Sequence, residues 1–314
     1  MKAIYKNIHP FAKIGMVALV VLVCLVVFLI LSAVLAIPIF GADAFSKLMT
    51  STVQFDESNL MLLKYFQLSQ SIGMFIVPAL VLALFFGGSI GRYLYLNKKP
   101  AFILSLLAIL IVFSASPLIN VLGVWNAGMS LPSWMSGIEE WMRQSEESAA
   151  KLTELFVYTD NISGLLFNLF MIALIPAIGE EFLFRGVIQR VIGDLSKNNH
   201  VAIWVTAILF SALHMQFYGF LPRALLGAMF GYLLIWSGNL WLPVIAHFIN
   251  NGVAVVAYYL YKKGSINIDP DAIGTNSEHG IAAILSLSVV LSLFFAFYYL
   301  NNKRKEQSEI ETGL

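Results

Sequence analysis

Charge is scarce in this sequence. Only 12% of its 314 residues are Asp, Glu, Lys or Arg. A soluble domain carries about twice that share, so a water-exposed globule is excluded. Cysteine is nearly absent too. The one thiol, Cys24, cannot close an internal disulfide and gives no hint of redox compartment. It sits in an apolar run, where it reads as filler and not as a reactive thiol. The formal net charge is +1, which gives no overall electrostatic case for a nucleic-acid partner. There is no His-Glu-x-x-His stretch, so the zincin fingerprint is missing. No repeat, low-complexity segment or separate soluble domain stands out.

What is there is apolar: 59% of the residues are hydrophobic. They fall into long runs, which point to an all-α polytopic membrane protein. About eight transmembrane helices are expected, enclosing an intramembrane active site. The first run, Ile14–Phe40, follows Lys2, Lys6 and Lys13. It is too long for the roughly 7–15-residue core of a signal peptide and reads as a retained span. The next runs are Phe66–Gly88 and Ala101–Val124, the latter with a kink expected at Ser116-Pro117. Asn161–Ile192 reads as one long helix, kinked at Pro176. Val201–Phe217 carries His214, Leu221–Trp236 opens on Pro222-Arg223, and Leu242–Leu260 carries His247, Asn250 and Asn251. Ile281–Leu300 is the eighth. Gly227 and Gly231 form a small-xxx-small pair that permits close helix approach.

Between the third and fourth runs lies the largest polar segment, Trp125–Asp160, with Trp134 and Trp141 among its charges. It reads as an amphipathic helix at the membrane interface. Its Glu139-Glu140 pair is a decoy, since Glu139 and Arg143 are spaced for an ordinary solvated helix pair. The chain divides into 1–160 (three spans and the amphipathic segment), 161–262 (a candidate catalytic core) and 263–314 (the last span and a polar tail). Eight crossings put both termini on one side. The basic clusters at the N-terminus, Arg92–Lys99, Arg185–Lys197 and Lys303–Lys305 make that side cytoplasmic, and the acidic loops Asp43–Lys64 and Trp125–Asp160 belong outside. Lys262-Lys263 disagree, partly offset by Asp269 and Asp271.

Ionisable residues at membrane depth are functional-site candidates, and their partners should be named. Glu180, Glu181 and Arg185 follow directly on the mostly apolar run Gly164–Ile178. Glu181 and Arg185 are four apart and read first as a helix-positioning pair. Glu180 points about 100° away and needs another partner. Only His214 and His247 lie in later apolar runs; His9, His200 and His279 sit in polar surroundings. By helix rise, Glu180, His214, His247 and Asn251 all fall within a hydrocarbon core of about 30 Å. A glutamate and two histidines suit water activation. Glu180 with His214 could hold and deprotonate water, and His247 with Asn251, one turn on, could donate to an oxyanion. Zinc is the rival, with Glu180, His214 and His247 as ligands and a fourth position for water. Either histidine alone is as well read as an interhelical hydrogen bonder. Asn250 does not share the face of His247, and Phe210 reads as packing.

Glu180-Glu181-x-x-x-Arg185, then Phe210-x-x-x-His214, then His247-x-x-x-Asn251 resembles the CPBP family, the CAAX proteases and bacteriocin-processing enzymes also called Abi. Pro222-Arg223, Gly227, Gly231 and Asn239-Leu240-Trp241 are similar as well. The likeness covers roughly Asn161 to Gly252. Each motif is weak alone; three in order on separate spans are specific. The resemblance implies an eight-helix intramembrane endopeptidase with Glu180 and His214 activating water and His247 and Asn251 stabilising the oxyanion. Members are named metalloproteases, yet a glutamate-type mechanism needs no metal, and the metal-free reading is preferred here with zinc as the alternative. The expected partners are a bilayer and a membrane-embedded or lipid-anchored peptide or protein substrate, in a bacterial inner membrane. Two readings compete: a non-catalytic scaffold or immunity partner, and a transporter with Glu180 in a proton relay. No repeat between the halves supports the transporter.

Overall fold

The computed structural model describes residues 3–42, 59–266 and 279–312. Among them the regular structure is all helix. The long helices are α1 (Pro10–Phe40), α2 (Leu60–Gly87), α3 (Phe102–Ala127), α5 (Ile162–Ser196), α7 (Phe220–Ser237), α8 (Trp241–Lys262) and α9 (His279–Thr312). These seven are long and apolar enough to cross a membrane. The polytopic all-α architecture therefore stands. The polar segment before α5 forms α4 (Ser136–Val157), and α6 (Asn199–Ala212) follows α5.

α6 departs from expectation. The apolar run extends to Phe217, but the helix ends at Ala212 after 14 residues. At 1.5 Å per residue it rises about 21 Å, short of a full hydrocarbon core. The chain then turns, with Met215 at φ 55°, and re-enters helix at Phe220. His214 thus sits in the turn and not within a span. Irregular backbone at depth is tolerated where it lines a cavity, and this turn does.

Two prolines shape the long helices. Pro78 and Pro176 each lie just beyond a widened π-turn, Ile72–Ile76 in α2 and Leu169–Leu174 in α5. Proline lacks an N–H and its ring crowds the carbonyl four residues back, so a widened preceding turn relieves both. Pro117 lies inside α3, which continues through it. A third widened stretch, Glu181–Ile188, contains the two-carboxylate motif's second half.

α5 and α8 stand at the centre. One apolar core joins α1, α2 and α5 through Val17, Leu82, Leu183 and Val187. A second joins α3, α7, α8 and α9 through Ile111, Leu233, Leu242 and Phe297, and a small third joins α6 and α7 through Ile203, Ala207 and Ala228. Every residue from Glu181 to Val187 is buried. The glycine pair does bring α7 close. A Cβ on Gly227 would stand 3.1 Å from the Arg185 guanidinium and 3.3 Å from the Ala207 backbone of α6. Gly227→Val is therefore expected to cost about 1–3 kcal/mol by overpacking. Thermal unfolding in detergent reads this out, and an unchanged midpoint would refute the close approach.

Lys64 corrects another boundary. The sequence reads it as the end of a polar loop, but α2 begins at Leu60 and buries it, with Nζ donating to Asn168 of α5 at 2.9 Å. The rest of that loop, 43–58, lies outside the described residues, as do Asp269 and Asp271. Lys262, which disagreed with the charge pattern, pairs with Glu154 of α4 at 3.1 Å. Its company is thus the acidic segment itself.

Candidate active site

Four elements converge on one cavity of about 290 Å3. α5 brings Glu180, the turn after α6 brings His214, α7 brings Arg223, and α8 brings His247, Asn250 and Asn251. All four residues singled out as a catalytic set face this space. Phe210, Phe230 and Leu226 supply apolar wall.

Each histidine is oriented by an acceptor. His214 Nδ1 lies 2.7 Å from the Phe210 carbonyl one turn back. A carbonyl only accepts, so Nδ1 carries the hydrogen and Nε2 is left free to take a proton. His247 Nδ1 lies 2.8 Å from Glu181 Oε1, so it donates to that carboxylate. Its Nε2 stands 3.8 Å from Glu180 Oε2, too far for a direct hydrogen bond. Phe230 stacks on the His247 ring at 5.3 Å, and Phe210 meets His214 edge-on at 4.8 Å. Phe210 is a packing residue, as expected, but its backbone also sets the His214 tautomer.

Behind this wall lies a buried ion pair. Arg185 donates to Glu181 Oε1 at 2.8 Å and to the Gly227 carbonyl at 3.0 Å. Both side chains are fully buried. The guanidinium lies over the Phe210 ring at 4.5 Å and near Phe230 at 5.5 Å. The helix-positioning pair read from spacing is therefore real, and it does more. Glu181 Oε1 accepts from Arg185 and His247 together, so the pair also holds the imidazole of another helix. No spacing rule links residue 181 to 247.

Asn251 donates to the Ile172 carbonyl at 3.3 Å, and its own oxygen accepts from Asn250 at 3.1 Å. Asn250 thus lines the cavity as well, contrary to the helix-face argument that set it aside. Arg223 opens α7 and belongs to the stretch that resembles the family, without an assigned role. It donates to the Gln216 side chain at 2.8 Å and to the Gln216 carbonyl at 3.3 Å, so it ties α7 to the turn that carries His214. α4 closes over the same turn. Glu146 accepts from the Tyr218 backbone N–H at 3.1 Å, and Arg143 sits 5.1 Å over the Tyr218 ring. Glu139 and Arg143 make the expected helix pair at 2.8 Å, and that contact holds the Glu139 carboxyl below its ordinary range.

Among the described residues no three His, Cys, Asp or Glu side chains gather in a metal-holding cluster. Both Nδ1 atoms are engaged as donors, which leaves each Nε2 for the cavity, an arrangement that suits a free imidazole and a zinc ligand alike. The other histidines are structural or remote: His9 caps α1, and His200 meets the Tyr232 hydroxyl at 2.8 Å. The side chain of His279 lies outside the described set.

Comparison with known proteins points the same way as the three motifs. Residues 162–253 match the family model described as type II CAAX prenyl endopeptidase Rce1-like. The chain is 31% identical over 90 residues to the uncharacterized protein YpbD of Bacillus subtilis, covering 27% of this chain and 43% of that protein. It is 29% identical over 94 residues to the membrane-embedded CAAX protease MroQ of Staphylococcus aureus, covering 28% of this chain and 38% of that one. The matched stretch thus spans less than half the length of either relative. No solved structure matches. The likeness to CAAX-type intramembrane proteases read from the sequence is shown over this core, and that core is the stretch that builds the cavity.

Proposed function

We propose that the chain is an intramembrane endopeptidase. It hydrolyses a peptide bond in a membrane-embedded or lipid-anchored peptide or protein. The observation that carries this reading is the shared cavity: Glu180, His214, His247 and Asn251 come from three separate places in the chain and line one space. Family likeness over residues 162–253 names the reaction class.

In this reading a water sits between Glu180 and the free Nε2 of His214. Glu180 takes its proton as the oxygen attacks the scissile carbonyl. His247, anchored by Glu181 through Nδ1, turns Nε2 toward the developing oxyanion, where the imidazolium form would donate. Asn251 offers its second amide hydrogen alongside. The leaving amine receives the proton carried by the glutamate or His214. The reaction is read as metal-free, with Glu180, His214 and His247 the residues that would hold a zinc in the alternative. The protein would lie in a bacterial inner membrane, with its basic N-terminal end on the cytoplasmic side.

The test is cleavage of a lipidated peptide library by purified protein in detergent, read by mass spectrometry. Discrete peptide-bond cleavage is expected. Asn251→Ala should lower kcat by about 10²–10³-fold, the effect of losing one oxyanion donor, with KM little changed. An unchanged kcat would remove Asn251 from the transition state. A scaffold would cleave nothing from any library.

A further inference from the structure

Among the described residues, Arg223 is the one lysine or arginine that lines the cavity around Glu180. It is partly buried, on the first turn of α7. A cation at membrane depth calls for a named partner. Among the described residues no carboxylate lies within ion-pair distance of it. Glu180 shares the cavity but has His247 as its ion-pair neighbour, at 3.8 Å. Glu146 of α4 accepts from the Tyr218 backbone N–H instead.

The partners that Arg223 does have are neutral. Its two terminal nitrogens donate to Gln216, at 2.8 Å to the side-chain oxygen and at 3.3 Å to the carbonyl. Those contacts orient the guanidinium without cancelling its charge. They use one N–H of each nitrogen, and the rest of the fork stays available. Gly219, also on the cavity wall, keeps the space beside it open. A Cβ there would stand 3.2 Å from Arg223 Nη2. The φ of Gly219 is −109°, which other residues adopt too, so this glycine serves space and not backbone conformation.

The chemistry of a peptide names what this charge meets. An unmodified peptide carries its negative charge on carboxylates, either on acidic side chains or at the chain end. A guanidinium with unspent N–H groups grips a carboxylate through two hydrogen bonds at once, and both are charge-assisted. A neutral backbone carbonyl gains less from the same fork.

We propose that Arg223 is a specificity-determining residue, which binds one carboxylate of the substrate inside this cavity, from an acidic side chain or from the chain end. The proposal rests on the proteolytic reading for what enters the cavity, so it is tested by binding as well as by cleavage.

The test uses the full chain in mild detergent and lipidated peptides made in matched pairs. One kind of pair differs as free acid and amide at the chain end. The other differs as Glu and Gln at each position in turn. Equilibrium binding and kcat/KM are measured for every member. The wild type should favour the anionic member of one pair about tenfold or more in both readouts, the scale of hydrogen bonding between charged groups. The pair that responds tells which carboxylate is held. Arg223→Gln should erase that ratio. Arg223→Lys should keep part of it, since lysine retains the charge and loses the fork. The ratio is taken within each enzyme, so a general loss from disturbing the His214 turn cancels. Anionic preference in binding with no cleavage of any peptide would support the carboxylate site and remove the proteolytic reading. No preference in the wild type, or a preference that survives Arg223→Gln, would overturn the proposal. An equal loss for charged and neutral members would overturn it too, and would leave Arg223 as a structural tie or a counter-charge for Glu180.

Discussion

Glu180→Gln should abolish cleavage while leaving the protein folded. The substitution keeps size and hydrogen-bonding shape and removes the base. Loss of a positioned general base costs about 10²–10⁴-fold in rate. Among the described residues Glu180 makes no hydrogen bond to protein, and His247 Nε2 is 3.8 Å away. Little of the fold therefore leans on it. Thermal unfolding and gel-filtration behaviour should match the wild type, and the rate should fall to the background of the peptide. A variant that cuts at the wild-type rate would remove Glu180 from the mechanism.

Arg185→Leu should fail differently. It leaves Glu181 buried with one of its two partners gone and removes the tie to the Gly227 carbonyl of α7. Breaking a buried pair by removing one member costs about 3–5 kcal/mol, because a charge is left uncompensated. That is a large part of the stability of an ordinary domain. The variant should unfold at much lower temperature and lose activity with it. Glu181→Leu combined with Arg185→Leu should recover much of the stability, since replacing both members with apolar groups is often neutral. It should stay impaired in catalysis, because His247 then lacks the carboxylate that orients it. Wild-type stability in the single variant would contradict the buried pair. Full activity in the double variant would contradict the orienting role of Glu181.

The two variants mark how far the sequence could be read. Long apolar runs located seven of the eight expected spans, because hydrophobic length is a local property, though α2 begins at Leu60 rather than Phe66 and α9 continues past Leu300 to Thr312. The eighth, at α6, read too long. Apolar residues continue to Phe217, and nothing in their periodicity tells a helix from a turn packed under α4. Lys64 was misplaced for a related reason: its partner Asn168 lies on α5, 104 positions away, and a lone lysine next to polar sequence reads as loop. The three motifs and comparable depths brought Glu180, His214, His247 and Asn251 together as candidates, and the cavity is where they meet. Spacing gave the Glu181–Arg185 pair, since both partners sit on one helix. The bond from Glu181 to His247, the Arg223–Gln216 tie and the place of Asn250 were not legible. They depend on how α5, α7 and α8 pack, which single-helix geometry does not encode.

The most direct measurement follows the oxygen atom. Cleavage of the best library substrate is run in water enriched in heavy oxygen, and both the product and the intact protein are weighed. If water polarised by Glu180 attacks the carbonyl directly, the new carboxylate carries one heavy oxygen and the protein mass never changes, even when turnover is quenched early. A covalent adduct on the protein at early times would contradict the account, and so would a product whose new terminus carries no solvent oxygen.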